Sequence, residues 1–198
     1  MRRIFQYIQR WANIYLTTIP GNYQARKLEI LKNLFEVVNN FLMDSGEEYW
    51  LDFGTLLGYH REGGIIPHDI DVDFSMMEKS YDKVVKIMHK LPRAYKFYDT
   101  SYRHNGPKLY ISYKGFDADV YFYQEIGDEV RSTEKTKWPN ERQLIPKNLI
   151  IPLTTAEFLN QKTFVPKNPK AYLEYVYGYL GKDGMRNKQT GLWEKKSI

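Results

Sequence analysis

The 198-residue chain has no cysteine. That excludes disulfides, a thiolate metal site and a cysteine nucleophile. It has no apolar run long enough to span a membrane. Its first residues, Met1-Arg2-Arg3-Ile4-Phe5, begin with positive charge but are soon interrupted by Gln6, Gln9 and Arg10, so no signal-peptide core is read there. There is no internal repeat and no low-complexity segment. Histidine is scarce, and His60, His89 and His104 form no recognisable constellation. Charge of one sign is also lacking: 29 basic residues face 24 acidic ones, for a formal charge of +5. The densest basic clusters, Arg2-Arg3, Lys167 to Lys170 and Lys182 to Lys188, are short, so a solvated surface is read rather than a nucleic-acid stripe. These absences leave one soluble, cytoplasmic domain over 1–198, with a helical extension at 1–22, a partly mobile tail at 181–198, no membrane span and no nucleic-acid partner.

What the chain does have is concentrated between residues 50 and 75. Trp50-Leu51-Asp52-Phe53-Gly54-Thr55 reads as a strand running into a glycine turn, with a short helix from Thr55 to His60. His68 to Ser75 reads as a strand in which Asp69, Asp71 and Asp73 alternate with Ile70, Val72 and Phe74. Strand alternation puts the three carboxylates on one face and the apolar residues in the core. Like charges that close repel unless a cation lies among them, and Mg²⁺ or Mn²⁺ suits carboxylate oxygens while leaving positions for substrate phosphates. An EF-hand loop is a poor alternative. Counted from Asp69, its glycine and glutamate positions hold Phe74 and Ser80. A solvated edge strand remains the plain alternative.

A second acidic strand follows. Phe116 to Phe122 puts Asp117 and Asp119 on one face, and Lys114-Gly115 makes a tight turn back to the apolar strand before it. Carboxylates on neighbouring strands beside a glycine turn are the layout that metal-assisted phosphoryl displacement requires. It is also the layout of the nucleotidyltransferase fold. The expected class is α+β: a small mixed sheet flanked by helices. The helices are read at 23–43 and 78–91, with another from Asn168-Pro169 to about Leu180. Residues 124–140 are read as a polar loop able to fold over substrate, and 144–153 as irregular.

Phe53 to Arg61 followed by Ile66-Pro67-His68-Asp69-Ile70-Asp71-Val72-Asp73 resembles the signature of the LicD/fukutin family. Ala118 to Tyr121, Ile150 to Leu153, Phe164 to Pro166 and Ala171 to Gly178 resemble its later blocks in order. One departure is His68-Asp69-Ile70-Asp71 where the family often has Trp-Asp-Asp-Asp. That leaves Asp71 and Asp73 as the metal pair, completed by Asp119. The resemblance implies a phosphotransferase that moves phosphocholine, ribitol phosphate or glycerol phosphate from a CDP-activated alcohol to a glycan or glycoconjugate hydroxyl, releasing CMP. Gly54 and Thr55 are then expected to hold the nucleotide phosphates, with Arg61 and Lys108 as further phosphate partners. For both basic residues a plain salt bridge is an equal alternative. Asp52 is assigned to holding the turn. Two other readings stay open: a nucleotidyltransferase that moves NMP and releases pyrophosphate, and a basic binding module without catalysis.

Overall fold

The computed structural model describes residues 22–196, together with the four helical positions Ile8, Trp11, Ala12 and Tyr15. The expected extension at 1–22 therefore lies almost wholly outside the described residues. No helix among the described residues is long and apolar enough to cross a membrane.

The first described helix, α1 (Asn22–Met43), carries Leu31, Leu34, Phe35, Val38, Phe41 and Leu42 at helical spacing, and all six are buried. It ends at Asp44-Ser45-Gly46, where Gly46 takes a left-handed φ of 71°. Strand β1 (Tyr49–Leu51) leads directly into α2 (Phe53–Glu62). The acidic strand β2 (Asp71–Met77) follows, then a broken helical stretch whose only α-helical part is α3 (Tyr81–Lys86). The continuous helix expected over 78–91 divides into two 3₁₀ turns around α3, because Ile87 leaves helical geometry at ψ 4°.

Strands β3 (Lys96–Asp99), β4 (Lys108–Tyr113) and β5 (Phe116–Ile126) extend the sheet, whose order is β1-β2-β5-β4-β3. The β4–β5 turn is Lys114-Gly115, with φ of 49° and 86°, as its sequence predicts. β2 and β5 run parallel at the centre, and the other strands of this sheet pair antiparallel. The class is α+β, with a mixed sheet, as expected. The loop expected over 124–140 is in part strand. β5 continues to Ile126, turns at Gly127-Asp128 and returns as β6 (Glu129–Ser132), which also pairs with β7 (Ile145–Pro146). A separate hairpin, β8 (Thr154–Phe158) and β9 (Gln161–Val165), turns on Leu159 and Asn160, both at positive φ. Helix α4 (Pro169–Tyr177) starts where Asn168 Oδ1 accepts from the Ala171 N–H. Within the segment expected as a C-terminal tail, β10 (Gly184–Arg186) pairs with β11 (Trp193–Lys195).

The sheet has two chemically different faces. Val72, Phe74, Leu109, Ile111, Val120 and Phe122 are fully buried, and Phe35 of α1 stacks on Phe74 at 5.6 Å between ring centroids. The carboxylates occupy the opposite face, where α2 and α4 meet at Asp52. This carboxylate is 1% exposed, and its oxygens take two bonds each. Oδ1 accepts from the Phe53 N–H (2.8 Å) and the Tyr172 hydroxyl (2.8 Å), and Oδ2 from Ser75 (2.6 Å) and Tyr123 (3.0 Å). Burial raises the Asp52 pKa, and these four donors act in the opposite direction. One side chain thus joins α2, β2, β5 and α4.

Removing Asp52 would leave three buried hydroxyls without their acceptor and α2 without its cap. Asp52→Ala should cost at least about 3 kcal/mol in urea unfolding, and Tyr172→Phe about 1–2 kcal/mol. Equal stability of all three proteins would contradict this role.

Candidate active site

The parallel register sets Asp71 beside Asp117 and Asp73 beside Asp119. Because neighbours in a ladder share a face, all four carboxylates lie on the same side. Asp71, Asp73 and Asp119 converge, with one carboxylate oxygen of each within 4.8 Å of the others. Asp117, level with Asp71 and two residues before Asp119 on β5, is not part of that group. The sequence expectation named the same three residues. It also placed Asp69 on the strand, but β2 begins only at Asp71. Asp69 instead follows a turn at Ile66 and reaches the site from the loop before β2.

That loop is held from α1. Lys27, buried, donates to the Pro67 carbonyl at 2.6 Å, and Gln24 donates to the same oxygen. Neither residue stands out in sequence, since both read as ordinary polar positions on an amphipathic helix. Burial raises the Asp69 pKa to about 6 against the opposing charges of Lys27, His68 and Arg61. Asp73 is pushed up well beyond the ordinary carboxylate range by burial first, and then by Asp71 and Asp119. Three converging oxygens, one of them on a buried and electrostatically strained carboxylate, form a donor set that fits a hard divalent cation.

The glycine turn expected at Gly54-Thr55 is instead the first turn of α2, entered after Phe53 at a left-handed φ of 43°. Gly54 is needed for a different close approach. A Cβ there would stand 2.9 Å from Asp69 Oδ2 and 3.5 Å from Asp73 Oδ2. The Thr55 hydroxyl is buried and accepts from the Asp73 N–H at 2.8 Å, so it braces the acidic strand instead of facing a ligand.

Lys108 has a partner within the protein. Its buried ammonium is 2.9 Å from Asp119 Oδ1, outside hydrogen-bond alignment, and 3.0 Å from the Tyr121 ring centroid. It offsets charge in the carboxylate cluster; one ammonium against three carboxylates leaves negative charge in excess. Arg61 lines a cavity of about 450 Å³ that opens beside the cluster and also includes Gly54, His68 and Asp69. Tyr177, from α4, and the C-terminal residues Tyr179 and Trp193 form the facing wall. Four tyrosines, Tyr172, Tyr175, Tyr177 and Tyr179, lie on α4 or just after it. The structure divides them: Tyr172 is tied to Asp52, and Tyr175 donates to the Leu144 carbonyl, whereas Tyr177 and Tyr179 face the cavity.

The raised carboxylate pKa values have a sign that can be tested. In the folded metal-free protein Asp69 and Asp73 hold protons that they release in the unfolded chain, so the stability these two contribute is fully present below the ordinary carboxylate range. It falls as pH rises through about 6, where Asp69 ionises, with Asp73 adding to the same fall. At pH 8, Asp73→Asn should raise the unfolding temperature of the metal-free protein by at least about 2 °C, the shift that ~1 kcal/mol gives in a chain of this size. Mg²⁺ should stabilise the wild type more than the variant. A calorimetric scan in which the variant melts lower at every pH would contradict this electrostatic account.

Residues 46–168 match the family model described as LicD/FKTN/FKRP, nucleotidyltransferase domain. The chain is 28% identical over 174 residues to ribitol-5-phosphate transferase FKTN of Mus musculus, a match covering 84% of this chain and 35% of that protein. It is 26% identical over 173 residues to the uncharacterized protein RT0683 of Rickettsia typhi, covering 87% of this chain and 49% of that one. Among solved structures, lincomycin-bound lincosamide antibiotic adenylyltransferase LnuA aligns over 75% of this chain and 86% of its own, with a TM-score of 0.45 and 15% identity. The chain spans about a third of the length of the mouse relative, 35%. Both acidic strands and α2 fall inside the matched residues, and by that match the chain belongs to the LicD/FKTN/FKRP family.

Proposed function

We propose that the protein is a metal-dependent phosphotransferase that moves a phospho-alcohol from a CDP-activated donor to a glycan hydroxyl, with release of CMP. The observation that carries the metal-dependent chemistry is the convergence of Asp71, Asp73 and Asp119 beside a cavity of nucleotide size. The substrate class rests on family membership and on the similarity to a ribitol-5-phosphate transferase. Asp71, Asp73 and Asp119 would hold Mg²⁺ or Mn²⁺, which when bound supplies charge neutralisation for the phosphates and the leaving oxygen.

The remaining roles belong to the protein's own groups. Gly54 keeps the end of the cavity open, so a phosphate can come close to the first turn of α2, where backbone N–H groups favour an anion. Arg61 faces the same space with a guanidinium suited to a phosphate's paired oxygens. Thr55 fixes the height of β2 relative to α2, and with it the position of Asp73. Lys108 holds Asp119 in place and moderates repulsion in the cluster. In the reaction the acceptor hydroxyl releases its proton to solvent, and its oxygen forms a bond to the phosphorus that bears the alcohol. The bond from that phosphorus to the bridging oxygen breaks, and CMP takes the electron pair. Positioning and charge stabilisation provide most of what such a transfer needs.

The test is product analysis. The protein, with Mg²⁺, is incubated with CDP-choline, CDP-ribitol or CDP-glycerol and a panel of glycans. CMP release coupled to glycan phosphorylation is expected for one donor. Asp71→Asn and Asp119→Asn should each lower the rate on the order of 100-fold or more while the fold is retained. Pyrophosphate release from CTP, without any CMP from the CDP-alcohols, would contradict this reading and favour NMP transfer.

A further inference from the structure

The cavity beside the carboxylates has one wall that the family match does not reach. The matched residues stop at 168, whereas Tyr177, Tyr179, Lys182 and Trp193 line the far side. This segment is docked at defined points. Arg186 pairs with Glu141 at 2.7 Å, lies 3.7 Å over the Trp138 ring and donates to the Gly191 carbonyl at 2.9 Å. The Tyr179 N–H donates to the Trp193 carbonyl at 2.9 Å, and Lys182 pairs with Glu62 of α2 at 3.1 Å. Trp193 nevertheless stays 37% exposed. Gly184 lies between the two rings: a Cβ there would stand 3.3 Å from Trp193 Cε3 and 3.4 Å from Tyr179 Cδ1. A side chain at 184 would crowd both rings, and glycine avoids that.

The cavity therefore has two unlike ends. Next to the carboxylate cluster lies Gly54 at the start of α2, and Arg61, in the last turn of α2, lines the same cavity. At the other end are two aromatic rings. There Glu62 is paired with Lys182, and the Asp183 carboxylate accepts from the Tyr179 hydroxyl at 2.6 Å. Aromatic rings also attract a quaternary ammonium, but a simple one has no anionic group to set toward Gly54 and Arg61. A ligand with an anionic end and a flat ring end suits both ends at once, and a nucleoside diphosphate has that form.

We propose that Trp193 and Tyr179 form a nucleobase-stacking subsite, with the base of a nucleoside diphosphate against their rings and its phosphates toward Gly54 and Arg61. This rests on the nucleotide-donor reading above and adds where the base is held. It makes the hairpin of β10 and β11 part of the binding site.

The test compares CDP with inorganic pyrophosphate, both in Mg²⁺, by calorimetric titration of the full chain. Stacking of one base on an aromatic side chain corresponds to an affinity loss of about 5- to 150-fold on truncation to alanine. Trp193→Ala should weaken CDP by that factor and leave pyrophosphate unchanged, because pyrophosphate has no base. Trp193→Phe, which keeps a ring, should recover most of the CDP affinity. Wild-type CDP binding that Trp193→Ala does not alter would overturn the subsite while leaving the donor reading standing. Equal loss of both ligands in Trp193→Ala would assign the residue to holding the hairpin and would also overturn it. Failure of the wild type to bind either ligand would overturn the donor reading and the subsite together. Choline chloride that binds to the wild type and is lost in Trp193→Ala would replace the base with a cationic ligand.

Discussion

Asp52 is a buried carboxylate between two helices and the sheet, and its four hydrogen bonds set the geometry of everything above β2 and β5. A buried charge of this kind is tolerated only when its lone pairs are used, and here each oxygen accepts two bonds. The Phe53 N–H ties it to the start of α2, and Ser75 ties it to β2 two residues after Asp73. Tyr172 ties it to α4, which carries Tyr177 into the cavity wall. The carboxylate cluster, the cavity and the helix start between them are thus positioned from a single point. The left-handed Phe53 fits this arrangement: the strain of a bulky residue at φ 43° is held by the cap on one side and by the Phe53 ring against Tyr121, 4.4 Å between centroids, on the other.

The second constraint is repulsion. The parallel pairing of β2 with β5 brings Asp73 level with Asp119, and burial denies both the full screening of water. In the metal-free protein Lys108 partly offsets this from the β4 side, since its register partner is Tyr121, two residues beyond Asp119. Such a cluster is costly to a fold unless a cation uses it, which is why its geometry bears on function and not on stability alone. The residues that support it contribute through position. Thr55 fixes the Asp73 backbone, Gly54 gives room to two carboxylates, and Lys27 with Gln24 fixes the loop that carries Asp69.

Much of this was legible in the sequence wherever a period or a turn residue signalled it. Two-residue alternation gave the shared face of Asp71, Asp73, Asp117 and Asp119, and Lys114-Gly115 gave the hairpin between β4 and β5. What alternation does not carry is where a strand begins, so Asp69 was placed on β2 when a turn at Ile66 keeps it in the loop. Gly54 read as a turn because glycine marks both turns and close approaches, and only the neighbouring carboxylates distinguish the two. The polar stretch after Gln124 concealed β6, whose side chains alternate too briefly to stand out. The cavity wall at Tyr179 and Trp193 depends on Arg186 docking at Glu141 and Trp138, a pairing across about forty-five residues that no local pattern shows.

Asp71, Asp73 and Asp119 would together hold one divalent cation. The most direct measurement is an anomalous difference map from crystals grown with Mn²⁺ and CDP. The account predicts a peak within about 2.0–2.6 Å of at least one oxygen from each of the three aspartates. A well-ordered map at saturating Mn²⁺ with no peak among them, or with the peak at another group of residues, would contradict it.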